Sequence, residues 1–414
     1  MNRFARIVAT AAGASMLAFA AITSAAAQKK YDQGASDTGI RIGQTLPWSG
    51  PASAYSVEGQ VQRAFFRRLN EKGGINGRKV VYISLDDAYS PPKTVEQTRR
   101  LVEDEGVLAI FGAVGTATNT AIHKYLNARK VPQILILSGA SKWNDPENYP
   151  WTMAFYPLYD MEGQIYAKHV LQTKPDAKIA ILSQHDDAGR DYVRGFREGL
   201  GERAKDMVVA EATYEVTDAT VDSQIVKLKN SGADVFFLMA TPKFGAQAIR
   251  RAHELNWKPT IYVVSVASSI GGVLKPAGLE ASQGVITAAT FKTALDPMWD
   301  DSPDMQEYIR FMKEEGLEGH ITDRSAALGY VSAELLRRVL ERCGDELTRE
   351  NVMKQVSNLN DSDLPLLLPG VTVNTTPDSL SPFGALRLQR FEGESRVLFG
   401  EAIAARPGGG TKAP

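Results

Sequence analysis

Short apolar runs alternate with longer amphipathic segments through most of the chain. Ile40–Thr45 alternates apolar and polar positions, as a strand with one buried face does. Lys79–Leu85, Val107–Phe111 and Gln133–Leu137 are further compact apolar runs bounded by turn residues, and they too read as strands. Between them lie segments of helical period. In Val57–Glu71 the residues Val61, Ala64, Phe65 and Leu69 share one face, Pro92 opens a helix to Glu103, and Thr120–Arg129 is amphipathic. From Asp160 the same alternation starts again. Strands are expected at Lys178–Leu182, Met207–Ala210, Asp234–Met239 and Thr260–Val264. Helices are expected at Asp160–Gln172, Gly189–Arg203, Val221–Ser231 and Phe244–Asn256. A strand at Val285–Ala289 is followed by helices at Asp304–Glu315, Ser325–Cys343 and Arg349–Leu359, with Gly344 and Thr348 as caps. Val371–Val373, Ala385–Phe391 and Arg396–Phe399 read as hairpin strands. Helices inserted between strands imply α/β architecture with parallel sheets and right-handed crossovers, here in two units.

In such sheets ligands bind beyond the carboxyl ends of the strands. Loops 46–55, 86–91, 112–119 and 138–145 occupy that edge in the first unit. The most suggestive of them is Phe111-Gly112-Ala113-Val114-Gly115-Thr116-Ala117-Thr118-Asn119. It reads as a strand, a tight turn and a helix N-terminus, with Thr116, Thr118 and Asn119 as candidate caps. Free N–H groups and the helix dipole make such a terminus attractive to anions; an ordinary βα turn is the alternative for this stretch.

The N-terminus departs from the pattern. Arg3 and Arg6 precede an apolar run from Ile7 to Ile22, and Ala25-Ala26-Ala27 offers a cleavage site before Gln28. This is the form of a secretory signal peptide over residues 1–27, and it implies export to the periplasm with cleavage near Ala27. Cleavage removes two arginines and no acids, which moves the formal charge from −1 to about −3. That balance does not suit a nucleic-acid partner. Cys343 is the only cysteine, so no intramolecular disulfide can form and core burial must stabilise the exported chain. Phosphate-cradle glycine motifs and the G-x-S-x-G elbow are absent. His123, His169 and His253 fall within expected helices as surface or boundary residues. His185-Asp186-Asp187 reads as a solvated loop, with a metal or acid/base site as the alternative. No catalytic constellation, metal site or cofactor is therefore expected.

The residues with the strongest collective signal are Ile42-Gly43, Ser49-Gly50-Pro51, Asn70-Glu71-Lys72-Gly73-Gly74-Ile75-Asn76-Gly77, Asp86-Asp87, the loop at 111–119, Lys178–Leu182 and Asn230-Ser231-Gly232-Ala233-Asp234. In this order they resemble the periplasmic substrate-binding proteins of ABC transporters, of the Leu/Ile/Val-binding type. The resemblance implies a type I two-lobe fold with three hinge crossovers and a ligand in the cleft. Lobe one would comprise 39–157 and 288–372, lobe two 158–287 and 373–400, with 28–38 disordered and 401–414 a flexible tail. It also implies a monomer that delivers its ligand to an inner-membrane permease.

Carried over position by position, the resemblance gives a ligand site. Thr116, after Gly115, would hold a carboxylate. Gly139, Ala140 and Ser141 form the small-residue turn that donates N–H groups, with Lys142 or Ser141 where a threonine is usual. Tyr55 supplies a ring, Tyr159 the hinge contact, and Ala188, Thr241 and Ser265 the lobe-two wall. Two departures stand out. Ala188 replaces a tyrosine, and Ser265-Val266-Ala267-Ser268-Ser269 contains no acid to pair an α-ammonium. Tyr89 and Gly115 stand where the family often has a disulfide. The expected ligand is a small organic acid without an amino group, an aromatic carboxylate, as the stretch Gly139–Met153 also suggests by resemblance; Tyr55, Tyr159 and Phe155 would offer ring contacts. A branched-chain amino acid or amide binder is the alternative in the same class, and a sensory protein serving a membrane receptor is the alternative in another.

Overall fold

The computed structural model describes residues 29–404. The signal peptide and its cleavage site, and residues 405–414 of the expected tail, lie outside the described residues.

Two main sheets organise the chain. The first has five parallel strands in the spatial order Lys79–Asp86, Gly39–Leu46, Ala109–Phe111, Gln133–Ile136 and Thr152–Ala154. Its inner strands read as unbroken apolar runs because helices cover both faces: Ile110, Phe111 and Ile134–Leu137 are buried. The second sheet has seven strands, in the order Ser395–Ala404, Ala385–Glu392, Ile286–Ala289, Thr260–Val263, Val235–Leu238, Ile179–Gln184 and Val208–Tyr214. Five of these are parallel, and the closing hairpin adds antiparallel to Ile286–Ala289.

The chain passes between the two units three times, after Ala154, after Ala289 and before Ala385. After the second passage the helices Pro303–Glu314 and Arg324–Cys343 return to the first unit. Phe311 and Tyr330 pack on Phe65 of the helix Ser56–Glu71, at centroid distances of 6.3 and 5.6 Å. One buried phenylalanine from each passage meets at the crossing. Phe155 lies 5.1 Å from Phe383 and 6.4 Å from Phe291, and Phe291 lies 6.2 Å from Phe383. Phe155, expected among the ring contacts to ligand, is thus part of the hinge packing and does not line the cleft.

Several expectations change. Residues 28–38 were expected to be disordered, but Lys30–Tyr31 pairs in parallel with Glu346–Leu347. The buried Arg78 ties this segment down, donating to the Tyr31 hydroxyl, the Ser36 carbonyl and the Asp345 carboxylate. The last strand runs to Ala404, so residues 401–404 belong to the sheet. Thr152–Ala154 is a strand of three residues, too short to show a period. Val371–Val373 is irregular apart from a single bridge between Val373 and Phe383. The third helix begins at Thr116, four residues before its apolar periodicity starts. His123, expected near the surface, is buried between Tyr149, stacked at 3.9 Å, and the edge of Trp143.

Candidate functional site

Where the strand-end loops of the two units face each other lies a cleft of about 740 Å³ that is partly open to solvent. The two sides touch across it. The Tyr55 hydroxyl donates to the Val266 carbonyl at 3.4 Å, Ser141 donates to Asp191, and Lys142 pairs with Asp187. Lys142, which stands where a threonine was usual, is therefore a latch between the lips.

Tyr55, Gly115, Thr116, Tyr159, Ala188, Thr241 and Ser265 all line the cleft. Gly139, Ala140 and Ser141 do not. The Gly139 carbonyl accepts from Tyr159 N–H at 2.8 Å, and the Ser141 N–H and hydroxyl both engage Asp191. Their turn supports Tyr159 and the rim.

Thr116, Thr118 and Asn119 are not N-caps. The Thr118 hydroxyl donates back to the Val114 carbonyl, and the Asn119 amide donates to Ala113 and Gly115 carbonyls. These bonds brace the loop from within. No side chain caps the helix Thr116–Ala128, so its first N–H groups stay available at the cleft. The Thr116 hydroxyl shares a 2.7 Å hydrogen bond with Ser138, whose oxygen also accepts from Trp143 Nε1. Gly115 has φ +97°, and a Cβ there would meet the Tyr89 ring at 2.5 Å. Where the family often places a disulfide, a tyrosine ring thus packs on glycine.

Ser265 is also engaged. Its N–H and hydroxyl both donate at 2.7 Å to Glu162, a fully buried carboxylate that also accepts from Tyr166 and Tyr192. Thr241 differs: its buried hydroxyl has no hydrogen-bond partner, while its N–H donates to the Tyr214 hydroxyl.

The structure adds cleft residues that the sequence did not single out for ligand, among them Glu58, Tyr89, Tyr156, Gln184, Asp323 and Arg324. Arg324 is the first residue of the helix Arg324–Cys343, whose N-terminus has no side-chain cap. Its guanidinium lies 4.7 Å from the Tyr156 ring centroid. The neighbouring acids do not neutralise it by contact. Asp323 is occupied by Ser269 and His320, at 2.6 and 2.9 Å. Glu58 accepts from Ser325 at 3.1 Å, its Oε2 has no partner, and burial pushes its carboxyl up to about 8. Glu58 is therefore mostly protonated at neutral pH. An acid does face the cleft, which corrects the expectation, drawn from 265–269 alone, of a site without one. One signal for Arg324 was present in the sequence: a cation in the first turn of a helix opposes the dipole and calls for an anion nearby.

His185-Asp186-Asp187 has a structural explanation. Asp186 caps the helix Asp187–Leu200 by accepting from Gly189 N–H at 3.0 Å, and His185 pairs with Glu215. Among the described residues no His/Cys/Asp/Glu group is arranged to hold a metal, and no helix is long and apolar enough to cross a membrane.

The geometry agrees with comparisons to known proteins. The Leu/Ile/Val-binding protein homolog 7 of Brucella abortus is 24% identical over 338 residues, covering 79% of this chain and 81% of its own. A branched-chain amino acid ABC transporter protein from Thermus thermophilus, solved with bound valine, superposes with TM-score 0.80 at 16% identity, covering 90% of this chain and 98% of its own. An ABC transporter solute-binding protein from Rhodopseudomonas palustris in complex with benzoate gives TM-score 0.73 at 17% identity, covering 89% and 98%. The periplasmic binding protein family matches residues 39–390. The chain belongs to the periplasmic binding protein family of non-enzymatic ligand binders, and within it is similar to the Leu/Ile/Val-binding proteins of ABC transporters.

Proposed function

We propose that this protein is the solute-binding component of an ABC importer for a small aromatic carboxylate, held in the cleft and handed to an inner-membrane permease. The observation that carries this reading is Arg324, a cation at an uncapped helix N-terminus, among the tyrosines 55, 89, 156 and 159. A guanidinium offers a carboxylate two parallel hydrogen bonds, and the rings suit a flat apolar body. The free N–H groups at Thr116 add a second anion-favouring terminus. The Thr241 hydroxyl and the protonated Glu58 serve a neutral polar substituent. The benzoate complex of the Rhodopseudomonas palustris protein is consistent with this ligand class. A specific observation favours a second reading, a branched-chain amino acid: Glu58 would ionise if an ammonium arrived beside it.

Calorimetry with benzoate, 4-hydroxybenzoate and leucine separates the two. Arg324→Met should weaken aromatic-acid binding by about ten- to a hundredfold, corresponding to about 1.5–3 kcal/mol for a charged hydrogen-bonded contact. Thr116→Val should cost less, because Ser138 already shares its hydroxyl. Leucine binding more tightly than every non-amino acid tested would overturn the aromatic-acid reading. Loss of uptake of the bound acid on gene deletion would support an importer over a sensor.

A further inference from the structure

Behind the cleft lies a second, smaller cavity that shares Asp323 and Arg324 with it and ends at Arg396. Arg396 belongs to the strand Ser395–Ala404 of the seven-stranded sheet and is only 3% exposed. Its Nε and Nη2 have no hydrogen-bond partner. A buried guanidinium without a counter-charge is strongly unfavourable, and natural proteins pair or hydrogen-bond such groups. No protein anion is hydrogen-bonded to Arg396; Asp323 favours its charge through space only. Asp323, on the same cavity wall, is held by Ser269 and His320 and makes no hydrogen bond to Arg396. Lys292, also on the wall, is already matched by Asp304. Arg324 on the same wall is a further cation. Burial, and then Arg324, pull the Arg396 guanidinium down to about 9. Gln389 donates through Nε2 to Thr293 at 3.3 Å and leaves Oε1 without a partner; exchanging the amide O and N would turn N–H groups toward that side instead.

We propose that this second cavity is an anion-binding site, in which Arg396 and Arg324 together take one small singly charged anion. The anion is either a free halide or a second carboxylate on a ligand that reaches past Arg324 from the cleft. Both sources present the same chemistry: a compact negative charge that accepts from guanidinium N–H groups. The site rests on Arg396 and does not depend on which acid occupies the cleft.

The test uses the mature protein without ligand, unfolded thermally in sodium chloride or bromide against sodium gluconate at equal ionic strength. Gluconate, a bulky hydroxylated anion, is the control for ionic strength alone. The unfolding midpoint should rise with halide and saturate, and Arg396→Met should abolish that dependence while leaving benzoate affinity within about twofold of wild type. In gluconate, a second arm compares terephthalate with benzoate. Tightening of more than tenfold for the diacid, lost in Arg396→Met, assigns the anion to the ligand instead. Crystals soaked in bromide should show an anomalous peak within hydrogen-bond distance of Arg396 Nη2, which decides the free-halide arm even if the variant does not fold. Identical responses to halide and gluconate, no bromide peak and no preference for the diacid would together overturn the proposal. Failure of the aromatic-acid reading would appear separately, as absence of benzoate binding.

Discussion

Glu58 links the cleft to stability through a proton. It lies in the first turn of the helix Ser56–Glu71, 3% exposed, with one oxygen unpartnered. Burial raises its carboxyl from 4.5 to about 8, and the Ser325 hydroxyl and Arg324 offset this only in part. The folded state therefore holds a proton that the unfolded chain releases above its own lower pKa. The sign follows from linkage: the full stability is present below pH 4.5, falls as pH rises through the window, and levels off above about 8. At about 1.36 kcal/mol per unit, the ionisation penalty is about 4 kcal/mol at pH 8 and below about 1 kcal/mol at pH 5. Glu58→Gln keeps the shape and the Ser325 bond but cannot ionise. Its stability relative to wild type should rise by about 2–4 kcal/mol between pH 5 and pH 8, measured by urea unfolding at both values. A difference that stays constant with pH would show that Glu58 is ionised and solvated in the native state, and would refute the reasoning. It would also return the amino-acid reading to the front, because an ionised Glu58 would await an ammonium.

Burial, and then Lys142, depress the His123 imidazole to about 4, so stability is present above pH 6.5 and is lost as pH falls toward 4. His123→Phe should flatten that acid limb by about 2–3 kcal/mol, followed by unfolding at pH 4.5 and 7. A Cβ on Gly195 would sit 2.0 Å from the Asp160 carbonyl of the facing helix. Gly195→Ala should therefore destabilise the protein by about 1–3 kcal/mol or block folding, read from the urea midpoint, whereas the open Gly232→Ala should lose only the cost of its positive φ. Ligand should draw the units together about the Phe155–Phe291–Phe383 crossing, giving a smaller radius of gyration by small-angle scattering. An unchanged profile at saturation would mean that the cleft is already closed without ligand.

The order of strands and helices was legible because it is written in local periodicity. Gln133–Ile136 and Val235–Leu238 are buried apolar runs that only a covered sheet accommodates, Lys79–Asp86 is a half-exposed edge strand, and the helices between them carry a buried stripe. The positions of the strand-end loops followed, and with them the loop carrying Thr116; Tyr55, Ala188 and Thr241 came from the family resemblance, and all four lie on the cleft. Short or bridging elements were not legible. Thr152–Ala154 and Lys30–Tyr31 hold their strand conformation through partners distant in sequence or through a brief register, which no local pattern encodes. The electrostatics of the cleft belonged to the tertiary structure alone. Arg324 reaches Tyr156, and Glu58 reaches Ser325, because the chain returns to its first unit after the second passage. A carboxyl beside Val57 carries no local sign that burial will keep it protonated. The sequence determined where strands end and ligand-facing loops begin, since those depend on neighbouring residues. Which charges meet there depended on burial and on contacts spanning more than two hundred residues, and only the folded chain decided it.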